Sequence, residues 1–340
     1  MTYRVAINGF GRIGRNFIRS LVDRSLLDTD ITVVAVNDLW DGATLAHLLQ
    51  YDSTFGRLRA TVDVDPAGSG MLVNGQPIEL LRQRDPEVLP WADLRVDLVI
   101  EASGKFRTRD EAAKHLKAGA RRVLISAPGK EVDATIVVGV NTEAYDPLRH
   151  EIVSAASCTT NCAAPMAQVL HNAFGLEQGF LTTVHAYTND QVVLDTPHKD
   201  LRRARSAAVN IIPTSTGAAK AIGQVLPELA GRLGGVAVRV PVENGSLTDL
   251  TCRLATPVSV RQVNAAFAAA ARERLHGVLR YTESPMVSRD VIGDPASCVF
   301  DASLTAAEGN MVKVFGWYDN EWGYTNRLVD LTKLFAAGRE

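Results

Sequence analysis

Along the first 150 residues the apolar positions change period repeatedly. Arg4-Val5-Ala6-Ile7-Asn8 is a short apolar run of strand length, and Phe17, Ile18, Leu21 and Val22 then recur at helical spacing. A second apolar run spans residues 31–36. The pattern predicts a strand–helix–strand unit. It continues as a helix over 43–49, a hairpin over 70–78 turned by Asn74-Gly75, and a buried strand over 96–101. A helix over 109–118 and a strand over 122–126 follow. Strands and helices alternating in this way build a parallel sheet with helices on its faces.

Beyond residue 157 the alternation loosens. An amphipathic helix starts near residue 158, with apolar Met166, Val169 and Leu170. Pro165 either kinks its early turns or lies within its first one. A strand over 180–184 leads to a long, basic, irregular loop over 191–212, a length that points to function or subunit contact. A helix over 217–225 precedes strands over 236–240 and 247–254, which alternate like an antiparallel sheet covered on one face. A helix over 259–273, strands near 297–303 and 311–318, and a last helix running through Leu334 complete the pattern. Strands without regular intervening helices predict an α+β region.

Composition narrows the picture by exclusion. A chain of 340 residues is long enough for two domains. Lys and Arg number 36 against 38 Asp and Glu, a net charge of -2, so nucleic acid is not indicated as a partner. No apolar run reaches membrane-span length, and the N-terminus enters a strand without the zones of a signal peptide. The four cysteines, at 158, 162, 252 and 298, form no disulfide framework, and no pairing of Cys and His has metal-ligand spacing. These features predict a soluble, reduced, cytoplasmic protein with no metal and no membrane partner.

The first strand–helix junction carries Gly9-Phe10-Gly11-Arg12-Ile13-Gly14, and Asp38 stands 24 residues past the last glycine, after the second strand. Gly9 makes the tight turn, Gly11 admits a pyrophosphate close to the backbone, and Gly14 lets the helix pack on the sheet. The helix start supplies positive potential, and Asp38 accepts hydrogen bonds from a ribose while repelling a 2′-phosphate. The expected fold is therefore an α/β Rossmann-type dinucleotide-binding domain followed by an α+β catalytic domain with a mostly antiparallel sheet. The first domain is expected over 1–157, completed by a C-terminal helix over 320–340, and the second over 158–319. Ser103, Gly104 and Ser126 end strands of the parallel sheet and fall on the cofactor side, although each read singly only turns the chain.

Ser157-Cys158-Thr159-Thr160 places a thiol among hydroxyls at a helix start, where backbone N–H groups favour a thiolate. Read alone, Cys158 is one more small buried residue. Of seven histidines, His185 is placed like a catalyst, at the end of an apolar strand among hydroxyl residues. His47, His115 and His276 fall in or beside helical patterns and read as structural or surface residues. A Cys–His pair with a nicotinamide points to thiolate addition to an aldehyde, hydride transfer and attack on a thioester. Thr188, Arg239 and Thr216-Gly217 are candidates for holding phosphates. Arg239 is the least bland of them, being a charge inside the apolar run 236–240.

The chain resembles the phosphorylating glyceraldehyde-3-phosphate dehydrogenase family over essentially its whole length. The resemblance rests on Asn8–Arg15 (the cofactor loop), Ala156-Ser157-Cys158-Thr159-Thr160-Asn161-Cys162, His185–Gln191, Asp200–Arg205, Thr216–Lys220 and Trp317–Glu321. It implies Cys158 as nucleophile and His185 as base, the latter also lowering the thiol pKa. It implies that Thr188, Arg203 and Arg239 hold the phosphate of glyceraldehyde 3-phosphate, and that Ser157, Thr159, Thr216 and Gly217 hold inorganic phosphate. On the cofactor side it implies Arg12, Ile13, Asp38 and Ser126, with Asn320 fixing the nicotinamide carboxamide. It further implies a homotetramer in which the 191–212 loop reaches a neighbour. Thr196 stands before Pro197 where NAD-preferring members tend to carry leucine, and Ala127-Pro128-Gly129-Lys130 resembles members that use NADP. Asp38, Leu39 and Pro197 nevertheless resemble the NAD type, so NAD is the expected cofactor and NADP the second candidate. A sister enzyme oxidising erythrose 4-phosphate typically loses the Thr-Gly-Ala-Ala-Lys stretch, which is intact here. Trp40 and Val192-Val193 also depart from the commonest pattern.

Overall fold

The computed structural model describes residues 2–65 and 68–338. Met1, Pro66, Ala67, Arg339 and Glu340, including the end of the expected C-terminal helix, lie outside the described residues. The chain divides into two compact units. The first comprises the residues up to Ile136, Glu143–Ala156 and the stretch from Thr325 on; the second comprises Val137–Thr142 and Ser157–Tyr324. Where the sequence pattern sets the boundaries at 157/158 and 319/320, the second unit thus also takes in 137–142 and continues to Tyr324. Hydrogen bonds from Gln168 to the Val140 carbonyl and from Arg274 to the Gly139 carbonyl hold that short stretch there.

In the first unit the strands are β1 (Tyr3–Asn8), β2 (Ile31–Asn37), the small ribbon β3 (Tyr51–Asp52) and β4 (Gly56–Arg57), β5 (Val62–Val64), β6 (Gly70–Val73) and β7 (Gln76–Leu81). They continue with β8 (Leu98–Glu101), β9 (Arg122–Ile125), β10 (Ala134–Thr135) and β11 (Ile152–Ser154). A nine-stranded sheet runs in the order β10-β11-β9-β8-β1-β2-β7-β6-β5. β1 lies at its centre, parallel to β2 and β8, and only the β5–β6–β7 edge is antiparallel. Val5, Ala6, Ile7, Leu98, Val99 and Ile100 are all buried, as parallel strands covered on both faces require. The helices are α1 (Arg12–Asp23), α2 (Gly42–Gln50) and α3 (Arg109–Lys117). Thr108 and Glu111 close a capping box on α3. Asn74 and Gly75 both take positive φ, 51° and 80°, so the turn forms where the dipeptide predicts it.

A buried polar chain ties the carboxyl ends of these strands together. Trp91 Nε1 donates to His115 Nδ1 at 3.0 Å, which leaves the proton on Nε2 to donate to Glu101 Oε2 at 2.9 Å. Glu101 also accepts from Asn8 Nδ2 at 2.6 Å and from the Ser103 N–H at 2.9 Å, and Asn37 Nδ2 donates to Asn8 Oδ1 at 2.7 Å.

The second unit holds β12 (Leu176–Ala186), β13 (Ile212–Ser215), β14 (Leu233–Val240), β15 (Ser246–Leu254), β16 (Leu279–Thr282), β17 (Cys298–Asp301), β18 (Ala306–Glu308) and β19 (Met311–Tyr318). Its sheet runs β13-β14-β12-β15-β19-β17-β16, with β18 paired to β19. β14 and β15 flank β12; β15 runs antiparallel to it, but β14, expected in an antiparallel sheet, runs parallel. The long connection between β12 and β14, which contains α5 (Ala218–Val225), is the crossover that a parallel partner needs. The end of the irregular 191–212 loop is also ordered, as the edge strand β13, where Pro213 is tolerated because an edge residue has no ladder bond to lose on its outer side.

α4 (Cys158–Phe174) continues past Pro165, which lies beyond its first turn. Ser157 caps the helix, and every residue from Thr159 to Leu170 is buried, so tertiary burial outweighs the local breaker. α6 (Val260–Arg272) carries the Ser259/Gln262 capping box, and α7 (Trp322–Ala337) closes the chain. No helix of the described residues is long and apolar enough to cross a membrane.

Candidate active site

The three glycines of the β1–α1 junction each show the geometry their place demands. Gly9 has φ +93°, and a Cβ there would meet Ser103 N at 2.4 Å, so the turn excludes any side chain. A Cβ on Gly14 would meet the Gly9 carbonyl oxygen at 2.4 Å, whereas one on Gly11 would meet nothing within 4 Å. Gly11 is therefore the open position, and as N-cap of α1 it offers no side-chain acceptor to the N–H groups of Arg12, Ile13 and their successors. A cleft of about 320 Å³ is lined by Gly9, Gly11, Asp38, Trp40, Ser103 and Phe106 among others. Asp38 is locked in it: Oδ2 accepts from Phe10 N at 2.8 Å, and Oδ1 from Leu39 N at 2.7 Å and Trp40 N at 3.2 Å. An open anion-binding helix start beside a fixed carboxylate fits a dinucleotide.

Two cofactor candidates are engaged otherwise. The Arg12 guanidinium is paired in two-pronged fashion with Asp52 at 2.8 and 3.2 Å, so its main-chain N–H is what it offers an anion. Ser126 Oγ donates to the Glu101 carbonyl at 3.0 Å, closing the ends of β8 and β9, and Ser126 is not among the residues lining the cleft.

In the second unit Cys158 is the first residue of α4, and its Sγ lies 3.5 Å from His185 Nε2, on β12. His185 sits directly across from Arg239 in the parallel β12–β14 register. Arg239 Nη1 approaches His185 Nδ1 at 2.7 Å and donates to the Ala186 carbonyl at 2.8 Å, and Nδ1 itself lies 2.7 Å from that carbonyl. Both imidazole tautomers are thereby supported. With Nδ1–H donating to Ala186, Nε2 turns a lone pair toward the sulfur; with Nδ1 accepting from Arg239, Nε2–H faces it. Burial pushes the Cys158 thiol up, while the Arg239 charge and the N–H and hydroxyl of Thr159 pull it back down. Burial and Arg239 together hold His185 down to about 3. His185 is thus neutral near pH 7, and the Arg239 guanidinium is the positive charge that acts on both the imidazole and the sulfur.

The expected phosphate residues divide. Thr188 Oγ1 and Arg203 Nη1 both bond Asp190, and Arg239 acts on the same carboxylate electrostatically. Burial raises Asp190, but the Thr188 hydroxyl and the two guanidiniums prevail and keep it below the usual carboxylate range. Arg239 Nε is buried without a partner, a donor set for an acceptor. Ser157 Oγ is occupied as the cap, accepting from Thr160 N at 3.0 Å, and Thr159 Oγ1 is bonded to Tyr318 Oη at 2.9 Å. Thr216 and Gly217 stand apart at the start of α5, where Thr216 Oγ1 accepts from Ala218 N and a Cβ on Gly217 would meet nothing within 4 Å. Asn320, also in this unit, accepts at Oδ1 from Ser246 Oγ at 2.8 Å, which leaves its amide NH₂ to donate.

Sequence reasoning passed over three members of this cluster. Asp190 ends the stretch that begins at His185. Tyr318 joins Thr159 and Thr183 through its hydroxyl and forms a T-shaped ring pair with His185, with centroids 5.9 Å apart. Ser246 joins Ala186 N to Asn320. Only the non-local pairings of β12, β15 and β19 place the last two, so no short-range signal marks them. Among the described residues no group of three or more His, Cys, Asp or Glu side chains is placed to hold a metal. A wider groove of about 1160 Å³ runs along α6 and β16 and contains none of these residues.

Residues 157–320 match the glyceraldehyde 3-phosphate dehydrogenase C-terminal domain, and residues 3–109 match the NAD binding domain of the same family. The chain belongs to the glyceraldehyde-3-phosphate dehydrogenase family. It is 58% identical over 334 residues to the glyceraldehyde-3-phosphate dehydrogenase of Streptomyces coelicolor, with 98% of each chain covered. It is 56% identical over 338 residues to that of Geobacillus stearothermophilus, with 99% of each covered, and 56% identical over 337 residues to that of Mycobacterium avium, with 98% of each covered. Membership makes the chain an oxidoreductase and its first unit an NAD-binding domain. The glycine geometry and the fixed Asp38 are the physical form that NAD-binding domain takes here.

Proposed function

We propose that the protein oxidises D-glyceraldehyde 3-phosphate and phosphorylates the product to 1,3-bisphosphoglycerate, with NAD as cofactor. The observation that carries this reading is Cys158 Sγ at the head of α4, 3.5 Å from His185 Nε2, with Arg239 bound to the far side of the imidazole.

Cys158 Sγ adds to the aldehyde carbon and forms a hemithioacetal. His185 Nε2, neutral and fixed from its Nδ1 side, takes the hydroxyl proton as the carbonyl re-forms. NAD, held by the α1 N-terminus and Asp38, supplies the acceptor for the hydride when it is bound. A phosphate oxygen then attacks the thioester carbonyl, the C–S bond breaks, and Cys158 leaves as a thiolate that Arg239 and the helix start stabilise. Arg239, Thr188 and Arg203 hold the substrate phosphate, with Asp190 ordering those three side chains before it arrives. Ser157, Thr159, Thr216 and Gly217 serve the incoming phosphate, the last two from the start of α5. Asn320 donates its amide to the nicotinamide carboxamide, and Ser126 shapes the strand end on the cofactor side.

Three backbone N–H groups pin Asp38 and prevent it from swinging away, which favours NAD over NADP. The same reading carries a homotetramer. Val193, Leu194, Leu201, Val209 and Ile211 in the 191–212 loop are all exposed, a run of apolar side chains suited to burial against another copy.

The deciding experiment is steady-state reduction of NAD and NADP with glyceraldehyde 3-phosphate and erythrose 4-phosphate, with and without phosphate or arsenate. Turnover with NAD and glyceraldehyde 3-phosphate that requires the anion is the expected result. Phosphate-independent turnover would sink the phosphorylating reading.

A further inference from the structure

We infer that Ser246 is a positioning residue whose hydroxyl fixes which end of the Asn320 amide is presented to the nicotinamide carboxamide. The inference rests on the proposed carboxamide role of Asn320 and deepens it by naming the group that sets its polarity.

The place of Ser246 in the sheet gives it two neighbours that the sequence keeps far apart. It opens β15, the strand lying between β12 and β19, and stands opposite Tyr318 in the β15–β19 register. Its hydroxyl therefore reaches both the end of β12 and the chain just past β19. Ser246 Oγ accepts from Ala186 N at 3.1 Å and donates to Asn320 Oδ1 at 2.8 Å. All three residues are buried, so each of these polar groups needs its partner.

The main chain around Asn320 is held independently. Asp319 accepts from Asn244 Nδ2 at 2.9 Å, Gly293 N at 2.8 Å, Glu321 N at 2.9 Å and Trp322 N at 2.7 Å. What the backbone leaves undecided is the turn of the side-chain amide, whose oxygen and nitrogen ends have nearly the same shape. Ser246 decides it, because a hydroxyl has one proton to give. With Oδ1 toward Ser246, that proton has its acceptor and the NH₂ is left to face a carbonyl oxygen. With the amide reversed, Nδ2 would donate to Oγ and the buried hydroxyl proton would lose its acceptor. Ala186 N and Asn320 Oδ1 are the only partners of that hydroxyl among the described residues.

The same oxygen also pins Ala186, whose carbonyl accepts from Arg239 Nη1 at 2.8 Å and lies 2.7 Å from His185 Nδ1. One hydroxyl thus ties the carboxamide donor to the residue that orients the base.

The test is calorimetric titration of the full-length protein with NAD and with ADP-ribose, which lacks the nicotinamide. Ser246→Ala removes the hydroxyl, Ser246→Cys fills nearly the same space with a weak donor, and Ser246→Thr keeps the hydroxyl. Ser246→Ala and Ser246→Cys are expected to weaken NAD about tenfold relative to ADP-ribose, with Ser246→Thr restoring the parent ratio. An unchanged ratio in Ser246→Ala and Ser246→Cys would overturn the inference. Equal weakening of both ligands, the mark of a merely structural role, would overturn it too. Asn320→Ala separates the inference from the reading beneath it. A ratio that falls in Asn320→Ala but not in Ser246→Ala removes the role of Ser246 alone. A ratio unmoved in Asn320→Ala removes the carboxamide role of Asn320, and this inference with it.

Discussion

Arg239 Nη1 lies 2.7 Å from His185 Nδ1, across adjacent parallel strands that place the two residues in register. This contact makes a guanidinium, charged at every working pH, the electrostatic neighbour of both the base and the nucleophile. The arrangement separates two tasks that a simple Cys–His ion pair would combine. In the proposed mechanism Arg239 supports the thiolate, and His185 stays neutral and available to accept a proton.

Replacing Arg239 by leucine removes the charge that lowers both Cys158 and His185, so both groups titrate higher. Alkylation of Cys158 by iodoacetamide should then shift to higher pH, slowing about tenfold at pH 7 for a one-unit rise. An unchanged pH profile would show that Arg239 does not support the thiolate.

The depressed His185 also predicts a pH dependence of stability. In the folded protein it titrates near 3, against 6.5 for an ordinary histidine. Between those values the unfolded chain binds more protons, so stability rises with pH across the window and is lost as acid is added. His185→Gln, which cannot titrate, should flatten this acid branch by an amount on the order of a few kcal/mol. Urea midpoints measured from pH 3 to 7 decide it, and parallel curves for the two proteins would refute the assignment.

Asp38→Gly should relax the cofactor preference. The substitution removes the like charge that opposes a 2′-phosphate and frees the N–H groups of Phe10, Leu39 and Trp40 to receive one. The ratio of kcat/KM for NADP to that for NAD is expected to rise at least about tenfold. A ratio that stays put would place the discrimination elsewhere.

Glu101→Ala should destabilise the first unit. It strands Asn8 Nδ2, His115 Nε2 and the Ser103 N–H, which all converge on the Glu101 carboxylate in the buried interior. Leaving such donors unpaired costs about 3 kcal/mol or more in total. The check is the urea midpoint at constant m-value, and a loss below about 1 kcal/mol would contradict it.

Much of the fold was legible because burial in the first unit follows simple periods. β1, α1, β2 and the Asn74-Gly75 turn fall within a residue or two of where pattern and turn chemistry predict them. The second unit hid more. The parallel pairing of β14 with β12 depends on a long crossover, which apolar alternation cannot reveal. Pro165 reads locally as a kink or a first-turn residue, but the helix continues past it because α4 is buried on all sides. In the candidate site, Cys158 and His185 were marked by local context. Asp190, Tyr318 and Ser246 acquire meaning only when β12, β15 and β19 bring distant residues together. Nor does any sequence pattern report that Arg239 stands against His185.

The distribution of the cysteines carries a practical consequence. None is joined in a disulfide, and Cys162, Cys252 and Cys298 are all buried, Cys162 and Cys298 both close to Gly316, while Cys158 alone is partly open. A bulky thiol reagent therefore counts one site per chain in the native protein and four after denaturation. The stoichiometry becomes an internal gauge of intactness that needs neither substrate nor cofactor. Any preparation reading between those limits contains chains whose second unit has opened.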